Sequence, residues 1–94
     1  MTEDDRLVLL EADLDMLSPP KQREAQLRHL LSAASSLIER EGIVLADTVE
    51  DNQLQVMYAA YLYRKRASDN PSMPRMLRYA LNNRLMSQKA GGTA

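Results

Sequence analysis

Between Leu54 and Tyr63 the only wholly polar side chain is Gln55, and this stretch constrains the fold more than any other part of the chain. Wound as a helix, it places Leu54, Tyr58, Tyr61 and Leu62 on one side and Val56 and Tyr63 on the other. A helix that is apolar nearly all round needs two covered faces. The chain has 94 residues, one domain's worth, and a domain of that size removes only about 60 to 65% of its unfolded surface from water. One face of this helix is therefore expected to pack inside the domain. The other, carrying Val56 and Tyr63, is expected to pack against a neighbouring subunit.

Punctuation divides the chain into four helical segments, expected at about 3–17, 19–41, 49–67 and 73–89. Thr2 followed by Asp5 has the pattern of a capping box, and Leu7, Leu10, Leu14 and Leu17 then recur as a single apolar seam. Ser18-Pro19-Pro20 stops this helix and can open the next, since serine caps and proline at the first helical position loses no needed hydrogen bond. Leu27, Leu30, Leu31, Ala34, Leu37 and Ile38 line one face of the second helix, His29 points away from it, and Gly42 is placed to end it in the left-handed conformation.

Ile43, Val44 and Leu45 form a short apolar linker that should tuck under the bundle, after which Asp47 with Glu50, or Thr48 with Asp51, supplies the next N-cap. Asp69-Asn70-Pro71 breaks the chain. Ser72 then caps a last helix that has Pro74 in its first turn and Met73, Met76, Leu77, Ala80, Leu81 and Leu85 as its stripe. Ala90 to Ala94 reads as a flexible tail. No segment alternates with a period of two. The expected architecture is all-α: one domain, 1–94, built as a compact bundle of four helices with short loops and a flexible C-terminal tail.

Charge is divided between the two halves. Residues 1–51 carry 12 acids and 5 bases, residues 52–94 carry 7 bases and 1 acid, and the overall charge of −1 conceals this dipole. Such complementary fields favour head-to-tail contact between copies, or docking of the basic half on an acidic partner. Arg64, Arg66, Arg75, Arg78 and Arg84 are the candidate interface charges, with Val56 and Tyr63 as apolar candidates on the same half.

The inventory for catalysis is thin. Without cysteine the chain has no disulfide, thiol nucleophile or thiolate metal site. The single histidine, His29, lies on a polar helix face and reads as solvated. Glu11, Asp13 and Asp15 do not share a helix face and have no glycine near them to turn a calcium loop, so they read as an acidic exterior. Glycine occurs only at 42, 91 and 92, which leaves no phosphate-cradling loop. The six methionines suit adaptable packing better than ligation. No apolar run approaches the roughly 20 residues that span a bilayer, and Glu3, Asp4 and Asp5 are unlike the start of a signal peptide. The chain reads as a soluble intracellular product, non-enzymatic, with no cofactor, metal or membrane.

Arg64-Lys65-Arg66 could neutralise phosphates while Tyr58, Tyr61 and Tyr63 stack on bases. The same three cations also suit the negative end of a helix dipole. Arg78 and Arg84, with Asn82 and Asn83, pose a similar choice between reading a major groove and meeting an acidic protein surface.

Three blocks in the second half carry a resemblance. Leu37-Ile38-Glu39-Arg40-Glu41-Gly42-Ile43, Met57-Tyr58-Ala59-Ala60-Tyr61-Leu62-Tyr63-Arg64-Lys65-Arg66 and Met73-Pro74-Arg75-Met76-Leu77-Arg78-Tyr79-Ala80-Leu81-Asn82-Asn83-Arg84-Leu85 resemble, in order and spacing, the small head-tail connector (adaptor) proteins of tailed bacteriophages and prophages. The likeness covers about residues 37 to 89. It implies a helical protomer that joins a homo-oligomeric ring, commonly of twelve copies, beneath the portal protein of the filled head. The ring would extend the channel through which genomic DNA passes without sequence-specific binding, and would receive the next connector or tail protein. The implied location is the virion head-tail joint, and the host bacterial cytoplasm before assembly. Members of the family are often monomeric until the portal templates the ring. The rival reading is a small helical DNA-binding regulator that uses the fourth helix and Arg64 to Arg66.

Overall fold

The apolar helix is the axis of the molecule. The computed structural model describes residues 1–67 and 72–92, arranged as α1 (Glu3–Asp13), α2 (Lys21–Arg40), α3 (Val49–Ala67) and α4 (Arg75–Gly92), with no strand among the described residues. The protein is all-α, a bundle of four helices. α3 packs against α1, α2 and α4, and α1 packs against α2. Three helical neighbours give α3 more cover than the sequence alone suggests. Val56, expected to face another subunit, is 1% exposed and lies in the core with Leu54, Tyr58, Ala59 and Ala60. Leu7 and Leu10 of α1, Leu27, Leu30, Leu31, Ala34 and Ile38 of α2, and Leu77 and Leu81 of α4 complete the same cluster. Each fully buried leucine contributes roughly 2 kcal/mol by leaving water.

The helix ends follow local chemistry, with some departures. The capping box forms in both directions, Asp5 N–H donating to Thr2 Oγ1 and Thr2 N–H to the Asp5 carboxylate, each at 3.1 Å. α1 then stops at Asp13 and not at residue 17, because Asp15 and Ser18 turn the chain with φ of 56° and 48°. The turn throws Leu17 into solvent, 95% exposed, so the apolar seam ends before it. With Ser18 in the left-handed region, the N-cap of α2 falls to Pro20, which makes no side-chain capping bond. At the other end of α2, Gly42 has φ +97°, the left-handed stop that glycine permits.

The apolar linker tucks under the bundle at two of its three residues: Ile43 is 1% exposed and Leu45 packs half-buried against the core, whereas Val44 between them is 70% exposed. Of the two possible caps for α3, Thr48 serves, its Oγ1 accepting from Asp51 N–H at 3.1 Å. α4 opens with Arg78 N–H donating to the Pro74 carbonyl at 3.1 Å, two residues beyond the expected cap at Ser72. The shift has a steric cause, since proline disfavours the helical conformation in the residue before it, here Met73. α4 continues to Gly92, so most of the expected tail is helical. The Asp69-Asn70-Pro71 break, Thr93 and Ala94 lie outside the described residues.

Candidate assembly surface

Three of the five candidate interface arginines are used inside the protomer. Arg64 reaches back to the end of α1, with NH1 3.5 Å from the Asp13 carboxylate and NH2 donating to the Asp13 carbonyl at 3.0 Å. Arg78 grips both oxygens of Glu41, at 2.8 and 3.3 Å. Arg84 grips both oxygens of Asp51, at 2.6 and 3.0 Å, and also donates to the Val44 carbonyl at 2.9 Å.

Asp51 is 2% exposed, and Ala46 N–H donates to it at 2.7 Å. The Arg84 guanidinium holds its carboxyl below the ordinary aspartate range, with help from Ala46 N–H and against the opposing push of burial; the pairing raises Arg84 in return. Gln88, four residues after Arg84, completes the row by accepting from Val44 N–H at 2.7 Å and donating to the Gly42 carbonyl at 2.8 Å. One edge of α4 thus clamps the segment from Glu41 to Asp51. Sequence reasoning missed Gln88. Its four-residue spacing from Arg84 was the available signal, but the partners become visible only once α2 and α3 are placed.

Tyr63 is half-buried against α2, where Arg23 lies over its ring at 5.5 Å from the centroid and donates to its hydroxyl. Arg66 and Arg75 are exposed and make no ion pair among the described residues. Arg75 occupies the first turn of α4, which holds no acidic residue. A cation there opposes the helix dipole at a cost of about 0.3–1 kcal/mol.

Arg75 begins a stripe that folding of the protomer leaves bare. Steps of four and three residues lead from it to Tyr79, Asn82, Met86 and Lys89, all exposed, with Tyr79 at 58% and Met86 at 69%. Met76, beside the stripe, is 75% exposed, which corrects its expected place in the inward-facing row with Leu77 and Leu81. α4 is therefore apolar on two sides. Leu77, Leu81 and half-buried Leu85 pack inward, and the outer side carries exposed Tyr79 and Met86 about Asn82 with a cation at each end.

α1 carries the opposite arrangement. Its outer face exposes Asp4, Asp5, Val8 and Ala12, with Val8 63% exposed and half-buried Glu11 in the last turn; exposed Asp15 lies in the turn beyond the helix. Glu11 and Asp15 make no ion pair, whereas Asp4 is held by Arg28 at 2.7 Å and Asp5 serves the capping box. Arg6, the only cation of α1, is turned to the Asn52 side chain and the Met1 carbonyl.

His29 is exposed on α2, and among the described residues no group of three His, Asp or Glu side chains is placed to hold a metal ion. No described helix is long and apolar enough to cross a membrane. The two complementary outer faces, on α4 and α1, are the surfaces with chemistry to offer. Comparison of the chain with protein-family models, with curated proteins and with solved structures found no match.

Proposed function

We propose that the chain is a non-enzymatic structural adaptor of the head-tail joint of a tailed bacteriophage. In this role it joins a homo-oligomeric ring beneath the portal, extends the DNA channel and receives the next connector or tail protein. The observation that carries the reading is the outer stripe of α4, where Tyr79 and Met86 stand exposed between Arg75 and Lys89. Its first half, Arg75 to Asn82, lies within the Met73 to Leu85 block that resembles the phage adaptors. Its chemistry is that of a protein interface: apolar side chains hold a partner, while cations steer it and set its register.

The same geometry weighs against a dedicated DNA-reading helix. Of the arginines that such a helix would offer to base edges, Arg78 and Arg84 are turned onto Glu41 and Asp51, which leaves Arg75 as the outward arginine of α4. The test is to mix the protein with the portal encoded in the same genome and image the product by electron microscopy. A ring of added density beneath the portal is expected. No joining to the portal, together with sequence-selective duplex binding that falls steeply with salt, would establish the regulator reading instead.

A further inference from the structure

We propose that the outer stripe of α4 on one copy is covered by the outer face of α1 on the next copy. The setting in which copies meet rests on the adaptor reading above; the contact itself rests on the two surfaces.

The stripe on α4 places Arg75 and Lys89 about 21 Å apart along the helix, with Tyr79 and Met86 between them and no anion among them. The face of α1 has acids toward both ends, Asp4 and Asp5 at one and Glu11 about 10 Å further along the helix, with Val8 between them and Asp15 in the turn that follows. The signs are opposite: cations flank Tyr79, Asn82 and Met86 on α4, and acids flank Val8 on α1. Pairing two α4 stripes would set cations against cations, and pairing two α1 faces would set acids against acids. Contact between unlike faces avoids both penalties.

Arg75 supplies an independent pointer. It sits at the end of α4 where its own helix disfavours a cation, with no carboxylate paired to it among the described residues, and an acid from another copy would supply one. α1 and α4 both pack on α3 without extended contact with each other, so every copy can offer both faces at once. A contact between two different faces is head-to-tail, the kind that generates a ring when its rotation closes.

The test exploits direction. Two variants are prepared, Arg75→Glu with Lys89→Glu, and Glu11→Lys with Asp15→Lys; Asp4 and Asp5 are left alone because Arg28 and the capping box use them. Each variant alone is expected to lose self-association at least tenfold by sedimentation, measured free and on portals, with the helical circular-dichroism signal unchanged. An equimolar mixture is expected to restore it, because each reversed face then meets its complement on the other variant. The chain has no cysteine, so copies bearing Val8→Cys mixed with copies bearing Asn82→Cys should cross-link on oxidation at least tenfold more than either alone.

A mixture that associates no better than its components, dominant Asn82→Cys homodimers, or no association of parent copies even on portals would each overturn the contact. Parent protein that joins portals while the mixture fails leaves the adaptor reading standing without this contact. Restoration by the mixture, with parent protein that never joins a portal, does the reverse.

Discussion

Asp51 shows how much one side chain can do in a small domain. It is almost wholly buried, accepts from Ala46 N–H, receives both arms of Arg84, and its own N–H is capped by Thr48. Removing one member of a buried pair leaves the other charge desolvated and uncompensated. Asp51→Ala is therefore expected to destabilise by about 3 kcal/mol, read as a lower urea midpoint.

The pair also has a pH signature. Because the folded-state pKa of Asp51 is depressed, its contribution is complete above about pH 4, near the unfolded value, and is lost as pH falls through the folded one. Between pH 5 and pH 3 the urea midpoint of the parent is expected to fall further than that of Asp51→Asn. At this scale the sequence was half legible. Thr48 and Asp51 stand three apart, so the cap could be read locally, whereas Arg84 lies 33 residues away and could be paired with Asp51 only by the fold.

The helices themselves were legible wherever apolar periodicity and caps agreed, as at Thr2, Gly42 and the leucine row of α2. They failed where backbone geometry overrode periodicity. Leu17 continues the spacing of Leu7, Leu10 and Leu14, but two non-glycine residues with positive φ, Asp15 and Ser18, take the chain out of the helix first. Sequence patterns signal that conformation poorly outside glycine and asparagine. Leu17→Ser is accordingly expected to change stability by no more than about 0.5 kcal/mol, the range of ordinary surface substitutions, in urea unfolding.

Within α3, Tyr58 is 7% exposed and meets the half-buried Tyr61 edge to face, with ring centroids 5.9 Å apart. Tyr58→Ala is expected to cost about 3 kcal/mol. Tyr61→Ala is expected to lower the urea midpoint by less, since its ring is only partly buried and lies beneath Lys65.

At the scale of the whole molecule, the charge split between the halves is partly satisfied within one copy. Asp13 with Arg64, Glu41 with Arg78 and Asp51 with Arg84 all join the acidic half to the basic half. A net count could not distinguish these internal pairs from charges left for a neighbour. Among the charges that remain outside are Arg75 and Lys89 on α4 and Glu11 and Asp15 at the end of α1, the ones the proposed contact would use. Apolar surface divides in the same way. The two-sided character of α3 was read correctly, but its cover comes from three helices of its own chain, and the surface left open belongs to α4.

The clamp by which α4 holds the segment from Glu41 to Asp51 also orders events in time. Its bonds join residues 33 to 46 positions apart, so the clamp has nothing to close on until α2, the linker and the start of α3 are in place. Loop closure over such separations precedes its reward, and α4 is expected to dock after the rate-limiting barrier. Gln88→Ala should then speed unfolding in stopped-flow chevrons while leaving the refolding arm unchanged. The helix that presents the outward surface would be the last to arrive and the first to leave, so the lifetime of the interface would be set by two arginines and a glutamine on its hidden side.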